Sequence, residues 1–148
     1  MIAVDTNVLV YAHRKDSSRH SPAISWLRRL AEGEVPWGLP VFCLGEFVRV
    51  VTHRNIFPSP SSLEQALDAL QSLLGSPSLR ILFPGGSYAH LFRSAVLEGR
   101  TTGNLVFDAQ IAALCREYGI RRLLTEDRDF SRFAALTIVG LDEDPATA

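Results

Sequence analysis

The stretch from Met1 to Ala12, MIAVDTNVLVYA, places a single carboxylate inside an otherwise apolar run. Residues 2–4 are typical of a short buried strand, and the apolar residues that follow have helical spacing, with Thr6 or Asn7 available to cap the helix. Asp5 therefore lies at the carboxyl end of the strand, the edge at which open α/β sheets bind ligands. An aspartate at this point can also do no more than cap the helix, and the segment alone leaves both interpretations open.

Length and composition indicate one folded domain. With 148 residues and 47% hydrophobic residues, the chain can bury a core without disulfides, and we expect a domain over residues 1–141 followed by a short tail over residues 142–148. The first residues lack a basic start and a cleavage site of small residues, and no apolar run has the length of a membrane span, so we expect a cytoplasmic protein. Cys43 and Cys115 show no CxxC spacing, which favours reduced, buried thiols over a zinc site.

Glu46 is the only acid in the segment 40–53, PVFCLGEFVRVVTH, which predicts a helix opened by Pro40. Apolar residues three and four positions away place Glu46 on or beside the buried stripe of this helix. A carboxylate held against a core needs a partner, a proton or a metal ion. A salt bridge with Arg49, three residues further on, is the structural alternative.

Asp108 lies in a second helix with an apolar body, predicted from Asn104 as the cap to Gly119 at the end. Its neighbours in sequence are mostly apolar, which indicates an acid that faces the interior. An aspartate in a first turn is also favoured by the helix dipole alone.

The remaining pattern completes an alternation of strands and helices. The sequence predicts strands over 35–39, 79–83, 121–125 and 137–141. It predicts helices over 21–33 (with Ser21 as cap), from Ser61 or Ser62 to Leu74, and over 87–97. Such an alternation implies a parallel sheet with helices on both faces. The acids of TEDRDF, residues 125–130, then follow a strand that ends beside the strand leading to Asp5.

Acids gathered from these four segments need a counter-charge. Two bare carboxylates about 4 Å apart repel by roughly 4 kcal/mol at an effective dielectric constant of 20. Hard divalent ions with oxygen ligands, Mg²⁺ or Mn²⁺, suit such a site, whereas no His or Cys cluster supports zinc. A pair of these ions lowers the pKa of a bound water and clamps the attacking and leaving oxygens in phosphodiester hydrolysis.

These motifs together resemble the PIN-domain ribonucleases, in particular the VapC toxins of bacterial toxin–antitoxin pairs. The resemblance rests on DTNVLVYA, the acid in its apolar helix, GNLVFDAQIAAL and TEDRDF, and it extends from Ile2 to about Val139. It implies a PIN-like three-layer α/β/α fold, Mg²⁺- or Mn²⁺-dependent endonucleolytic cleavage of RNA, a homodimer, and a cognate antitoxin that covers the site.

By position, the acidic quartet of the family falls on four residues: Asp5, Glu46, Asp108 and Asp127. We expect Asp5 and Asp108 to bind the principal metal, with Glu46 and Asp127 completing its shell, partly through water. The supporting polar positions are Thr6, Asn7, Asn104, Thr125 and Asp129. Glu126 is an acid beyond the family pattern, so the sequence leaves open which of Glu126, Asp127 and Asp129 faces the metal.

Net charge gives a weaker indication of the partner. The formal charge of −1 argues against nucleic acid, but setting the four quartet acids aside leaves 12 acidic residues against 15 basic ones, 14 of them Arg. Arg suits phosphate, although a compositional bias explains the count equally well. The candidates for RNA contact are Arg14, Arg19, Arg49 and Arg128, and single-stranded or loop RNA is the expected substrate.

Two other function classes fit less well. A HAD-type phosphatase needs a second Asp where this chain has Asn7, and a catalytic lysine for which only Lys15 is available. A catalytically inactive PIN-like module that binds RNA or protein is the alternative that the sequence keeps open, although the four acids disfavour it.

Overall fold

The computed structural model describes residues 1–146 of the chain. It contains five strands and six α-helices within that range. The strands are β1 (Ile2–Val4), β2 (Trp37–Pro40), β3 (Leu79–Leu82), β4 (Arg122–Leu124) and β5 (Thr137–Val139). The helices are α1 (Thr6–His13), α2 (His20–Glu32), α3 (Phe42–Val51), α4 (Leu63–Leu74), α5 (Tyr88–Gly99) and α6 (Leu105–Glu117), with a 3₁₀ turn over Arg128–Arg132.

The five strands form one parallel sheet in the order β3-β2-β1-β4-β5. The chain first builds the sheet outward from β1 to β3 and then returns to add β4 on the other side of β1. Right-handed crossovers place α1–α4 over one face and α5–α6 over the other. The predicted three-layer α/β/α fold is therefore confirmed, and the direction of winding changes between β1 and β4, where doubly wound sheets open a crevice.

Two helix starts differ from the sequence prediction. Pro40 ends β2 instead of opening α3, because its missing N–H is harmless at a strand end and Val41 N–H continues the pairing to the Leu82 carbonyl at 3.0 Å. Helix α2 begins at His20, one residue before the predicted cap Ser21, and no side chain caps it.

Side-chain caps follow the backbone conformation of the residue before each helix. Ser62 has extended backbone and forms a full capping box with Gln65, as the predicted start of α4 requires. Asn104 has helical backbone angles, so its side chain does not cap α6. At α1 the cap is Asp5 and neither Thr6 nor Asn7.

The core lies on both sides of the sheet. The fully buried side chains include Trp37 and Leu39 from β2 and Leu123 and Leu124 from β4. Cys43 and Cys115 are free and buried, as predicted. Within residues 1–146, none of the helices combines the length and apolarity that crossing a bilayer requires. The predicted tail from residue 142 stays a prediction, and its last two residues lie outside the described range.

Candidate metal centre

Asp5 is both a helix cap and a member of an acidic cavity. One carboxylate oxygen, Oδ1, accepts the Thr6 N–H at 2.7 Å, and the other, Oδ2, accepts the Thr125 hydroxyl at 2.8 Å. Asp5 is 7% exposed. Burial raises the pKa of its carboxyl to about 6, although the two hydrogen bonds act in the opposite direction. The two interpretations of this residue are thus compatible.

Thr125 connects β4 to the residues around Asp5. Besides donating to Asp5, its hydroxyl oxygen accepts from the Asn7 side-chain amide at 3.1 Å and from the Asp127 N–H at 3.0 Å. Thr125 is completely buried. A single hydroxyl therefore fixes the end of β1, the start of α1 and the loop after β4 relative to one another.

Glu46 reaches the cavity from α3. Its Oε2 accepts the Thr6 hydroxyl at 2.9 Å, and its Oε1 lies 3.9 Å from Nη2 of Arg49. The predicted salt bridge with Arg49 is therefore present, but it is long, and the Arg49 side chain is 61% exposed. Such a pair offsets little of the charge on Glu46.

Three further acids approach one another at the mouth of the cavity. One carboxylate oxygen from each of Asp108, Asp127 and Asp129 lies within 4.8 Å of the other two. The Asp129 N–H donates to Asp127 Oδ1 at 2.8 Å, which fixes the turn that carries both acids. Burial, followed by the negative charges of Asp127, Asp5, Asp129 and Glu46, raises the pKa of Asp108 to about 7.

The four quartet acids line one cavity of about 300 Å³. Asp5 and Asp127 enter from the ends of neighbouring strands, and Glu46 and Asp108 enter from helices. The polar side of the lining is completed by Thr6 and Asn7. An apolar wall faces the acids, formed by Val10, Tyr11, Val50, Ile56, Phe57, Phe107 and Ile111.

The donor set suits a hard divalent cation. All the charged groups of the cavity are carboxylates, whose oxygens are the ligands that Mg²⁺ and Mn²⁺ take. Burial, and then the neighbouring carboxylates, raise the pKa values of Asp5 and Asp108, so a cation bound among them would favour their ionised forms. Oδ1 of Asn7 is buried without a hydrogen-bond partner among the described residues and lies on a side chain that lines the same cavity.

Two residues considered for the site, Glu126, which the sequence left open, and Asn104, which it gave a supporting role, lie elsewhere. Glu126 turns away from the cavity and binds the Leu141 N–H and Arg19. Asn104 is exposed and is not part of the cavity lining in the described chain. Asp129, given a supporting role from the sequence, stands instead within the acidic cluster.

The four candidate RNA-binding arginines differ in their surroundings. Arg14 pairs with Asp16 at 2.7 Å and stacks its guanidinium over the Phe57 ring at 4.2 Å. Arg19 is occupied by acids of its own chain, Arg49 flanks the cavity beside Glu46, and Arg128 is exposed on the 3₁₀ turn. Of these four arginines, Arg49 is the one that contacts an acid of the cavity, Glu46.

The sequence did not single out the apolar wall. Phe107 and Ile56 are large apolar residues that are 57% and 46% exposed beside the acids. The sequence offered one signal for this wall, namely that Phe107 directly precedes Asp108 in the first turn of an amphipathic helix. An exposed ring beside an acidic cavity offers a surface for stacking.

Comparisons with known proteins concern the sequence and the fold as a whole. The family model described as PIN domain matches residues 2–136. The chain is 40% identical to Ribonuclease VapC43 of Mycobacterium tuberculosis, over 92% of either chain. Its fold is similar to VapBC2 from Rickettsia felis bound to a promoter DNA fragment (TM-score 0.66, 23% identity, 95% and 98% of the two chains). It is also similar to VapC20 of M. tuberculosis, a Sarcin-Ricin loop cleaving toxin (TM-score 0.66, 21% identity, 88% and 93%).

Proposed function

Because this chain belongs to the PIN-domain family, and within it to the VapC ribonucleases, we propose that it is an endoribonuclease that hydrolyses RNA phosphodiester bonds with Mg²⁺ or Mn²⁺. In the cell it acts as the toxin of a VapBC-type toxin–antitoxin pair. The observation that carries this proposal is the cavity that collects Asp5, Glu46, Asp108 and Asp127 from four separate segments. A catalytically inactive binding module would not require a cavity lined by four carboxylates.

The acids would hold the metal in two groups. Asp5 and Asp108 would bind the principal ion, and Glu46 and Asp127 would complete its shell, as the family pattern implies. The cluster of Asp108 with Asp127 and Asp129 supports an additional role for Asp129 as a ligand. When bound, the divalent ion supplies Lewis-acid stabilisation of charge on the phosphate and a more acidic water.

The protein's own residues orient this arrangement. Thr125 and the Thr6 N–H occupy one lone pair on each oxygen of Asp5, so the remaining lone pairs have a fixed direction. The Thr6 hydroxyl does the same for Glu46. Ligands held in place before binding avoid the entropic cost of ordering them when the substrate arrives.

The cavity favours an unpaired strand. Its apolar wall includes the exposed ring of Phe107, on which an unpaired base can stack, and the exposed side chain of Ile56, against which the base can pack. Arg49 at the rim offers a guanidinium to the phosphate backbone. The bases of a double-stranded stem are stacked on one another and are therefore not available to the apolar wall.

The activity is tested with purified protein and single-stranded RNA in the presence of Mn²⁺. We expect endonucleolytic products with 5′-phosphate and 3′-hydroxyl ends, and loss of cleavage with EDTA or in Asp5→Asn. An exposed acid on α4, Asp68, supplies the matched control, since Asp68→Asn changes one charge in the same way away from the acids. Cleavage that survives both EDTA and Asp5→Asn would rule out the carboxylate–metal site, and no cleavage of any RNA would favour the inactive binding module.

The proposed partners are a second copy of the chain and a cognate antitoxin, and the proposed compartment is the cytoplasm, where the RNA substrates occur. Exposed leucines along α4, namely Leu63, Leu67 and Leu74, support a protein partner because such apolar rows usually mark contact surfaces. Co-expression with the product of a short adjacent reading frame should yield a complex that co-elutes and does not cleave RNA. Free nuclease activity in that complex would contradict the antitoxin assignment.

A further inference from the structure

Glu126 connects three segments that are distant in sequence. Its Oε1 accepts the Leu141 N–H at 2.8 Å, and its Oε2 lies 2.9 Å from Nη2 of Arg19. Arg19 in turn donates from Nη1 to Asp142 at 3.0 Å. The loop after β4, the residue before α2 and the segment after β5 are therefore joined through one carboxylate.

The Arg19–Glu126 contact is the sheltered part of this network. The two side chains are 28% and 25% exposed, and their contact is an ion pair: Nε and Nη2 of Arg19 are buried and have no hydrogen-bond partner among the described residues. The Asp142 side chain is 85% exposed, so its pair with Arg19 is weakened by water and salt. Removal of Arg19 or Glu126 consequently disturbs the network more than removal of Asp142.

The residue after Glu126 belongs to the acidic cluster. Asp127 is fixed on the inner side of its loop by the Thr125 hydroxyl, and it accepts the Asp129 N–H itself. Glu126 fixes the outer side of the same loop. A displacement of this loop moves two carboxylates of the cluster, and metal ligands tolerate only a few tenths of an ångström.

We propose that Glu126 is a positioning residue which, through Arg19 and the Leu141 amide, holds Asp127 and Asp129 in the geometry that binds the divalent ion. The inference rests on the proposed function, because it requires a metal at the acidic cluster. It assigns Arg19 to this network and removes it from the RNA-contacting residues.

The variant Arg19→Gln distinguishes a positioning role of Arg19 from a purely electrostatic one. If only charge mattered, removing a cation near the cluster would tighten the binding of Mn²⁺. If Arg19 positions the loop through Glu126, removing it weakens the binding of Mn²⁺. The two explanations therefore predict opposite signs for the same variant, Arg19→Gln.

The experiment measures Mn²⁺ binding to the full chain by titration calorimetry without RNA. We expect the dissociation constant of Arg19→Gln to rise by about tenfold, the lower end of what residues behind metal ligands contribute. Glu126→Ala should show the larger loss, and Glu126→Gln the smaller one, because its amide oxygen can still accept the Leu141 N–H. Arg19→Lys, which keeps the charge and one contact, should recover part of the affinity.

Glu98 provides a matched control. It pairs with Arg116 and accepts the Ala134 N–H at 2.8 Å, so it makes the same two kinds of contact as Glu126. Arg116 lies eight residues beyond Asp108, about 12 Å further along α6. Arg116→Gln should lower the Tm and leave the Mn²⁺ dissociation constant within twofold of the wild type.

The outcomes discriminate clearly. Equal or tighter Mn²⁺ binding by Arg19→Gln overturns the positioning role, and so does an equal loss in Arg116→Gln. If Arg19→Gln does not fold, Arg19→Lys decides, since wild-type affinity in that variant also overturns it. Failure of the wild-type protein to bind Mn²⁺ contradicts the proposed function instead, so the two failures are distinguishable.

Discussion

Asp108→Asn should stabilise the metal-free protein at neutral pH. Burial and the neighbouring carboxylates raise the pKa of Asp108 from 3.8 to about 7, so the folded chain holds a proton there that the unfolded chain releases. A carboxyl with a raised pKa contributes stability that is lost as the pH rises from about 4 to about 7, the range between the unfolded and folded values. The neutral amide of Asn does not incur this loss.

The size of the effect follows from the pKa difference. About three pH units correspond to about 4 kcal/mol in full, but Asp108 is only half-buried and its neighbours share the charge, so screening reduces the gain to about 1–2 kcal/mol. In a chain of 148 residues, this gain raises the Tm by about 3–6 °C.

The assay is thermal unfolding in EDTA at pH 7.5 and again at pH 4, with Asp68→Asn as the control. The Tm increment of Asp108→Asn should be present at pH 7.5 and much smaller at pH 4, where the folded carboxyl is protonated and the unfolded one, at its ordinary pKa of 3.8, is only partly ionised. Excess Mn²⁺ should reverse the order, since at 100 times its dissociation constant it adds about 2.7 kcal/mol to the wild type. A lower Tm for Asp108→Asn in EDTA at pH 7.5, or an equal increment at both pH values, would refute the idea of crowded, uncompensated carboxylates.

Three other expectations follow from single contacts. Thr125→Val removes the hydroxyl that donates to Asp5, so the pKa of Asp5, followed by NMR in EDTA, should rise above its value of about 6. The free energy of unfolding should fall by about 1–3 kcal/mol. An unchanged titration of Asp5 would contradict this hydrogen bond. Phe107→Ala removes an exposed ring beside the acids, so the KM for single-stranded RNA should rise about tenfold with little change in kcat or Tm; an unchanged KM would show that no base stacks there. Burial raises the pKa of the Cys43 thiol well above its ordinary value and that of Cys115 to about 12, so neither should react with Ellman's reagent until the chain unfolds; rapid labelling of the native protein would contradict the packing.

The sequence was sufficient to predict the framework of the site. Parallel topology requires neighbouring strands to end at the same edge, and this placed Asp5 beside the acids that follow β4. The apolar neighbours of Glu46 and Asp108 indicated that both acids face inward. The orientation of Glu46 and Asp108 follows from local periodicity, whereas the choice of Asp127 rested on the family resemblance.

The sequence was insufficient where a remote contact decides the orientation. Glu126, Asp127 and Asp129 share one short loop, and the choice among them depends on Arg19 and on the Leu141 amide, fifteen residues further on. Asn104 illustrates a local failure, because its residue type favours a cap while its helical backbone angles prevent one. Residue type supplies a preference in such cases, and the path of the chain overrides it.

The sheet order has a consequence for the timing of synthesis. Strand β1 precedes the other four strands in the chain and becomes the central one, and the aspartate that follows it receives the Thr125 hydroxyl only after 120 more residues have been added. At about 5–20 residues per second, this interval lasts about 6–24 s. A nascent chain therefore has an incomplete acidic cavity during most of its synthesis, and a product truncated before β4 would lack both Thr125 and Asp127.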